Sequence, residues 1–165
     1  MGADFFPGLH DDTRLWVIVL DPPSGSGSFL EELGTLLGQW RHKGHAYQAA
    51  WEILDGRLLL VAEPAMATEP SGCAIDGMLR KVAALAGRHG MQVLEEDRVL
   101  AKVAGAWRSF GRAELEARLA DGTLRGDTPV LDRSLHHLGQ LREGGLERPL
   151  ARTWIGRKHR DRVGA

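Results

Sequence analysis

The period of apolar and polar positions changes several times along the chain, and each change marks an element. Arg14 to Leu20 (RLWVIVL) is an apolar run rich in branched residues, as expected of a central strand covered on both faces. It stops at Asp21-Pro22-Pro23, because proline donates nothing to a strand ladder. After the stretch SGSGS (24–28), Ser28 is placed to open a helix, with Glu31 completing a capping box. Phe29, Leu33, Leu36, Leu37 and Trp40 then form one helical stripe, which Gly44 ends. Ala46 to Leu54 alternates, with Tyr47, Ala49, Trp51 and Ile53 on one face and Gln48 and Glu52 on the other. Asp55-Gly56 is a hairpin signal, and RLLLVA (57–62) returns as a second buried strand. Pro64 to Gly72 reads as a loop. A second helix is expected from about Cys73 to His89, with Ile75, Met78, Leu79, Val82 and Leu85 inward and Gly90 at its end. Arg98 to Ala106 reads as a fourth strand.

Strand, helix, strand, strand, helix, strand predicts an α+β fold with a ferredoxin-like β-α-β-β-α-β core and an antiparallel sheet. The expected organisation is an N-terminal arm (1–13), the core (14–106), and a C-terminal α/β extension (107–165) that packs on the core and ends in a basic tail. In that topology the first and third strands are central, and these are the two most uniformly apolar runs. Two helices on one face leave the other face uncovered, so either the extension or a second copy of the chain, in a homodimer, must cover it. Within the extension, Ser109 is placed to cap a helix, RAELEARLA, ended by Asp121-Gly122. DTPVLD (127–132) reads as a short strand or turn, 134–142 as a helix, and Thr153-Trp154-Ile155 as a buried anchor.

Composition narrows the class. With 165 residues, 43% hydrophobic and 26% charged, the chain can bury a sizeable core without disulfides or metal. A single cysteine excludes an internal disulfide, so a reducing, cytoplasmic setting is expected. The start, MGADFFPGLHDD, lacks the basic residues and long apolar run of a signal peptide, and Phe6 stands where myristoylation needs Ser or Thr. No apolar run is long enough to cross a bilayer, so no membrane partner is expected. The net charge of −1 hides an asymmetry: residues 1–100 carry 8 Lys+Arg against 14 Asp+Glu, and residues 101–165 carry 13 against 8. The excess is strongest at Arg152, Arg157, Lys158, Arg160 and Arg162. Such a tail suits nucleic acid or an acidic partner, or else is a solvated end that balances the acidic half.

The sharpest candidate chemistry is at Ser71-Gly72-Cys73-Ala74-Ile75-Asp76. A thiol in the first turn of a helix meets unpaired N–H groups and the positive end of the dipole, which favour thiolate, while Asp76 opposes it. A cysteine nucleophile also needs a base, for which His136, His137 and His89 are the candidates. The leading expectation is a soluble binding or interaction module whose site is this loop and helix start, at Ser71 and Gly72, with Cys73 a small packing residue beside a cap; a thiol-dependent enzyme or redox protein using Cys73 is the alternative. This hexapeptide, with RLWVIVLD before it and the T-P-V-L-D and late T-W segments after it, resembles a family of uncharacterised bacterial proteins of about this length. Its members carry S-G-C-S-I-D and are often labelled ABC transporter ATPases in genomes. The resemblance spans about Arg14 to Trp154 and implies a bacterial protein with no established activity. Ala74 replaces the family's serine, which removes a hydroxyl. The ATPase label has no support in the residues, because no G-x-x-x-x-G-K-[ST] string is present.

Other constellations are weaker. Gly25 and Gly27 precede a helix and suit a phosphate through backbone N–H groups, but they also suit a plain connector. His42 and His45 have H-x-x-H spacing, yet one cysteine and no carboxylate–histidine cluster argue against zinc. No G-x-S-x-G starts a serine triad. Glu95-Glu96-Asp97 reads as a solvated loop. No cofactor motif is present. The strand RLLLVA lacks the aromatics of an RNA-recognition sheet, and Trp16, Tyr47 and Trp51 read as core residues. The packing reading of Cys73 expects slow alkylation of the folded chain; rapid, pH-dependent labelling with an apparent pKa well below about 8.5 would establish the thiolate instead.

Overall fold

A computed structural model describes residues 4–24, 26–39, 41–42, 45–46, 49–63 and 72–163, with backbone alone at 41–42, 45–46 and 72–74. The fold is α+β, and the chain divides into two compact units. The first contains the residues up to Leu94 together with Leu135–Arg142; the second contains Glu95–Ser134 together with the residues from Glu143 onward. The division falls at 94/95 rather than at 106, and a later segment returns to the first unit. No helix among the described residues is long and apolar enough to cross a membrane.

The first unit runs β1 (Arg14–Asp21), α1 (Gly27–Gly38), β2 (Arg41–His42), β3 (His45–Ala46), β4 (Ala50–Leu54), β5 (Leu58–Glu63), α2 (Gly72–Arg88) and β6 (Gln92–Val93). Its four-stranded sheet has the order β4-β5-β1-β6, antiparallel throughout. The two apolar runs are therefore the central strands. The fourth strand of this sheet is the short β6, paired with Leu20 and Asp21. The expectation that Arg98–Ala106 fills that place is corrected: Val99–Val103 belongs to the other sheet. Asp55 and Gly56 take positive φ (53° and 61°), as a two-residue hairpin turn requires. A Cβ on Gly56 would lie 2.3 Å from the Ser24 carbonyl oxygen, and the Ser24 N–H donates back to the Gly56 carbonyl (2.9 Å).

Ile18, Leu20, Leu59 and Val61 meet Phe29, Leu33 and Leu37 of α1 and Met78, Val82 and Leu85 of α2 in one buried cluster. On the opposite face Leu15, Val19, Leu58, Leu60 and Ala62 are at most 2% exposed in the single chain. Of the two covers expected for that face, the extension or a second copy, the centre is covered within the chain itself. Segment 135–142 contributes buried Leu135, Leu138 and Leu141 to this unit. Its backbone is bonded to the region before and at the start of β1: Leu15 N–H to the His136 carbonyl (2.8 Å), Leu138 N–H to Thr13 (2.9 Å) and Gly139 N–H to Asp11 (2.8 Å).

Residues 4–13 are correspondingly not a loose arm. Arg142 donates to the carbonyls of Phe5 (3.0 Å), Phe6 (2.9 Å) and Leu9 (3.0 Å), and to the Asp11 carboxylate (2.6 Å). Helix α1 starts at Gly27 with Ser26, not Ser28, as its cap; the Ser26 hydroxyl accepts from the Phe29 N–H (3.4 Å). It stops at Gly38, short of the expected Gly44. Trp40, Tyr47 and Gln48 lie outside the described residues.

The second unit contains β7 (Val99–Val103), β8 (Ala106–Phe110), α3 (Arg112–Ala120), β9 (Pro129–Leu131), the end of α4 (Leu138–Gly144), β10 (Glu147–Pro149), a 3-10 turn (Leu150–Arg152), α5 (Trp154–Lys158) and α6 (Arg160–Val163). Its antiparallel sheet has the order β10-β9-β7-β8. Strand β8 was not expected. Ala104 and Gly105, at φ 52° and 78°, make the turn into it. Ser109 is therefore a strand residue accepting from the Arg98 Nε (2.7 Å), and Gly111 caps α3 with its N–H donated to the Glu114 carboxylate (3.1 Å). Val99, Ala101, Phe110, Leu115, Leu119, Leu124, Val130, Leu150 and Ile155 form the core.

Replacing Arg142 with Ala strands several part-buried carbonyls at once. It is expected to lower stability by about 2–3 kcal/mol, read as a reduced denaturant midpoint, with Arg142→Lys recovering only part of the loss.

Candidate functional site

The residues singled out from the first hundred positions do not assemble into a site among the described residues. Helix α2 includes Gly72 and Cys73 in its first turn, close to the expected start, but Ser71 and the Cys73 side chain lie outside what the structure describes. Asp76 is exposed, and its carbonyl accepts from Arg80 (3.3 Å). His136 and His137 are exposed, and their N–H groups donate to the Gln140 side chain (2.8 and 3.1 Å). Their part in the fold is a backbone one. His89 and Arg88 hold Glu32 of α1, each at 3.0 Å, and these bonds keep the Glu32 carboxyl below its usual pKa. Gly27 opens α1 with free space around its Cα, and Gly25 lies outside the described residues. His42 and His45 are Cα partners across β2 and β3. No group of three His, Cys, Asp or Glu side chains among the described residues is placed to hold a metal.

The C-terminal segment is different. Two backbone bonds and two close approaches fix it in the second unit, and further backbone bonds close its own turns. Leu150 N–H donates to the Thr128 carbonyl and Ala151 N–H to Gly126, both at 2.9 Å. Thr153 N–H donates to Leu150 (3.0 Å) and His159 N–H to Ile155 (2.9 Å). A Cβ on Gly156 would stand 2.4 Å from the Ala151 carbonyl oxygen, and one on Gly126 2.6 Å from that of Val163. Only glycine permits either approach, so α5 lies directly on the 3-10 turn and α6 on the Gly126 loop. The basic tail is thereby a packed part of the unit rather than a solvated end.

This packing decides the fate of Trp154. The expectation of a buried Thr-Trp-Ile anchor holds for Ile155, at 2% exposure, and fails for Trp154, at 49%. Successive helical residues point about 100° apart. With Ile155 in the core, Trp154 must face outward, and it is the one exposed large hydrophobic among the described residues. Arg157 and Lys158 follow at i+3 and i+4, so they share its face of α5.

Trp154 lines a cleft of about 470 Å³ together with Arg152, Thr153, Arg157, Arg148, Asp132, Ser134 and Arg133, with Glu96, Asp97 and Arg98 on the remaining wall. Five arginines face it, but three are engaged. Arg98 is paired with Glu114 at 3.6 Å and bonded to Ser109. Arg133 donates to the Glu95 carbonyl (2.6 Å); burial lowers its pKa, while Glu96 and Asp97 oppose that shift. Arg148 is paired with Asp132, which is 7% exposed and also accepts from the Ser134 N–H (3.0 Å). Arg152 and Arg157 are exposed, and their side chains make no hydrogen bond or ion pair with any described residue. No family model matches the chain, and no curated protein or solved structure matches it either. Chemistry must therefore be read from the residues themselves. Two cations without a counter-ion among the described residues, held beside an exposed indole, suit an anionic ligand.

Arg152 also lines a second depression of about 610 Å³, with Arg125, Gly126, Asp127, Ala151, Arg162 and Val163. Of the basic tail residues, then, Arg152 and Arg157 share one cleft and Arg152 and Arg162 another; Lys158 and Arg160 are exposed on α5 and α6. The sequence reading missed Trp154, Asp132 and Arg148 as site residues. The available signal was the spacing of Trp154 to Arg157 and Lys158, which puts an aromatic and two cations on one helical face.

The paired and unpaired groups should separate in stability. Asp132→Ala leaves Arg148 without its partner and opens the Ser134 turn, and is expected to cost about 1–3 kcal/mol. Arg152→Ala and Arg157→Ala should each stay within about 0.5 kcal/mol of the parent in the same denaturant titration.

Proposed function

We propose that this chain is a nucleic-acid-binding module whose second unit contacts the phosphate backbone through Arg152 and Arg157. The observation that carries this is a pair of exposed arginines in one cleft with no carboxylate bound to them among the described residues, within a stretch, Arg148–Arg162, that has six basic residues and one acidic residue. An arginine kept for structure is normally bonded, as Arg98, Arg142 and Arg148 are here. Phosphate takes guanidinium bidentately, and contacts of this kind hold a nucleic acid without reading its sequence.

The wider assignments belong to the same proposal. The first unit is a ferredoxin-like core, supported by a strand order that reads fourth, first, third, second with two helices on one face. The hexapeptide at 71–76 supports membership of the S-G-C-[SA]-I-D family and a bacterial source, and the single cysteine supports a cytoplasmic setting. A thiol-dependent reaction at Cys73, with Asp76, His136 or His137, is the weaker reading, because no side-chain hydrogen bond among the described residues orients either exposed imidazole.

Fluorescence anisotropy with labelled oligonucleotides across a salt series tests the proposal. Affinity should fall with salt, and each arginine removed (Arg152→Ala, Arg157→Ala) should reduce the slope of log K against log salt by about 0.7–0.9. Absence of salt-dependent binding to single or double strands would end it.

A further inference from the structure

Building on that reading, we infer that the ligand is single-stranded: one unpaired base stacks on Trp154, and the backbone continues past Arg152 toward Arg162. The cleft holds both halves of the chemistry that a strand repeats at every nucleotide, a π face and an anion. Trp154 supplies the ring at 49% exposure, and Arg152 and Arg157 flank it on the same cleft wall. Leaving an indole half in water is unfavourable for the free protein, and a stacked base would cover it. A carboxylate-rich peptide offers the anions but no flat partner for the ring. A duplex offers phosphates but keeps its base faces stacked, so using Trp154 would require prying a step apart.

The path follows from Arg152, which lines both depressions. The second holds Arg162, exposed and without a partner among the described residues, and Arg125, whose pairing with Asp127 at 3.4 Å is between two largely exposed side chains. A backbone leaving the Trp154 cleft over Arg152 meets these cations next. Glu96 and Asp97 also line the cleft and are exposed, and their carboxylates repel phosphate, which favours a path over the arginines. Gly156 and Gly126 fix the two depressions relative to each other through the backbone of α5 and α6, so the track is formed before binding.

The experiment compares oligothymidylates of about 4 and about 12 nucleotides, an abasic strand of the longer length, and a blunt duplex, using the intact chain and its Trp154→Ala, Trp154→Phe and Arg162→Ala variants. Circular dichroism confirms the fold of each variant. Single strands should bind more tightly than the duplex and the abasic strand. Trp154→Ala should weaken single-strand binding about five- to a hundred-fold, with Trp154→Phe recovering most of it and duplex binding changing less than about two-fold. Arg162→Ala should weaken the longer strand and spare the shorter one. Salt-dependent binding that is equal for duplex and single strand, and unaffected by Trp154→Ala, would overturn this inference while leaving the phosphate contacts of Arg152 and Arg157 standing. An unaffected longer strand in Arg162→Ala would overturn the track. No salt-dependent binding at all would remove the function and this inference together.

Discussion

The approach of Gly156 to the backbone of Ala151 is the constraint on which the second unit's surface depends. A side chain at 156 would collide with a carbonyl at 2.4 Å, so the contact exists only because glycine has no Cβ. Once α5 lies on the 3-10 turn, Ile155 has one place to go, the core beside Leu150. Trp154 is then turned outward by helical geometry, and Arg152 is held on backbone bonded to Thr128 and Gly126 through its neighbours. Removing conformational freedom from the backbone lowers the entropy lost when the side chains meet a ligand.

The first unit obeys a different constraint. Strand β1 is apolar on both faces and must be covered on both. Two helices cover one face; on the other, the central residues are buried within the chain itself. The segment 135–142 is distant in sequence, yet it is bonded beside β1, and Arg142 ties residues 5–11 to it. An arginine that satisfies several carbonyls concentrates charge-assisted bonds where irregular backbone would otherwise leave acceptors unmet.

Electrostatics in the cleft show how neutral pairing isolates a functional pair. Exposed ion pairs contribute little to stability, but they do decide which cations are available. Asp132, nearly buried, neutralises Arg148, and Glu114 neutralises Arg98. These two pairings leave Arg152 and Arg157 as the arginines of the cleft that are exposed and carry no side-chain partner among the described residues.

Local patterns alone determined much of the first unit. The apolar runs at 14–20 and 57–62 are the central strands, Asp55-Gly56 is the turn, and the stripe of Ile75, Met78, Val82 and Leu85 belongs to a helix, because these features depend on neighbours a few residues away. The fourth strand was misplaced because two-residue β6 carries no period to read, while 99–103 has strand character that suits either sheet. The Ala104-Gly105 turn splits what reads as one strand over Arg98–Ala106 and opens β8. Composition located the basic tail and could not say which of its residues are bonded, since pairing is set by contacts such as Arg148 with Asp132 that cross the fold. Thr153-Trp154-Ile155 reads from the sequence as a buried anchor, with nothing local to separate Trp154 from Ile155. Only tertiary structure decided otherwise: the helix can send one of two adjacent large residues into the core, and the Gly156 contact selects Ile155.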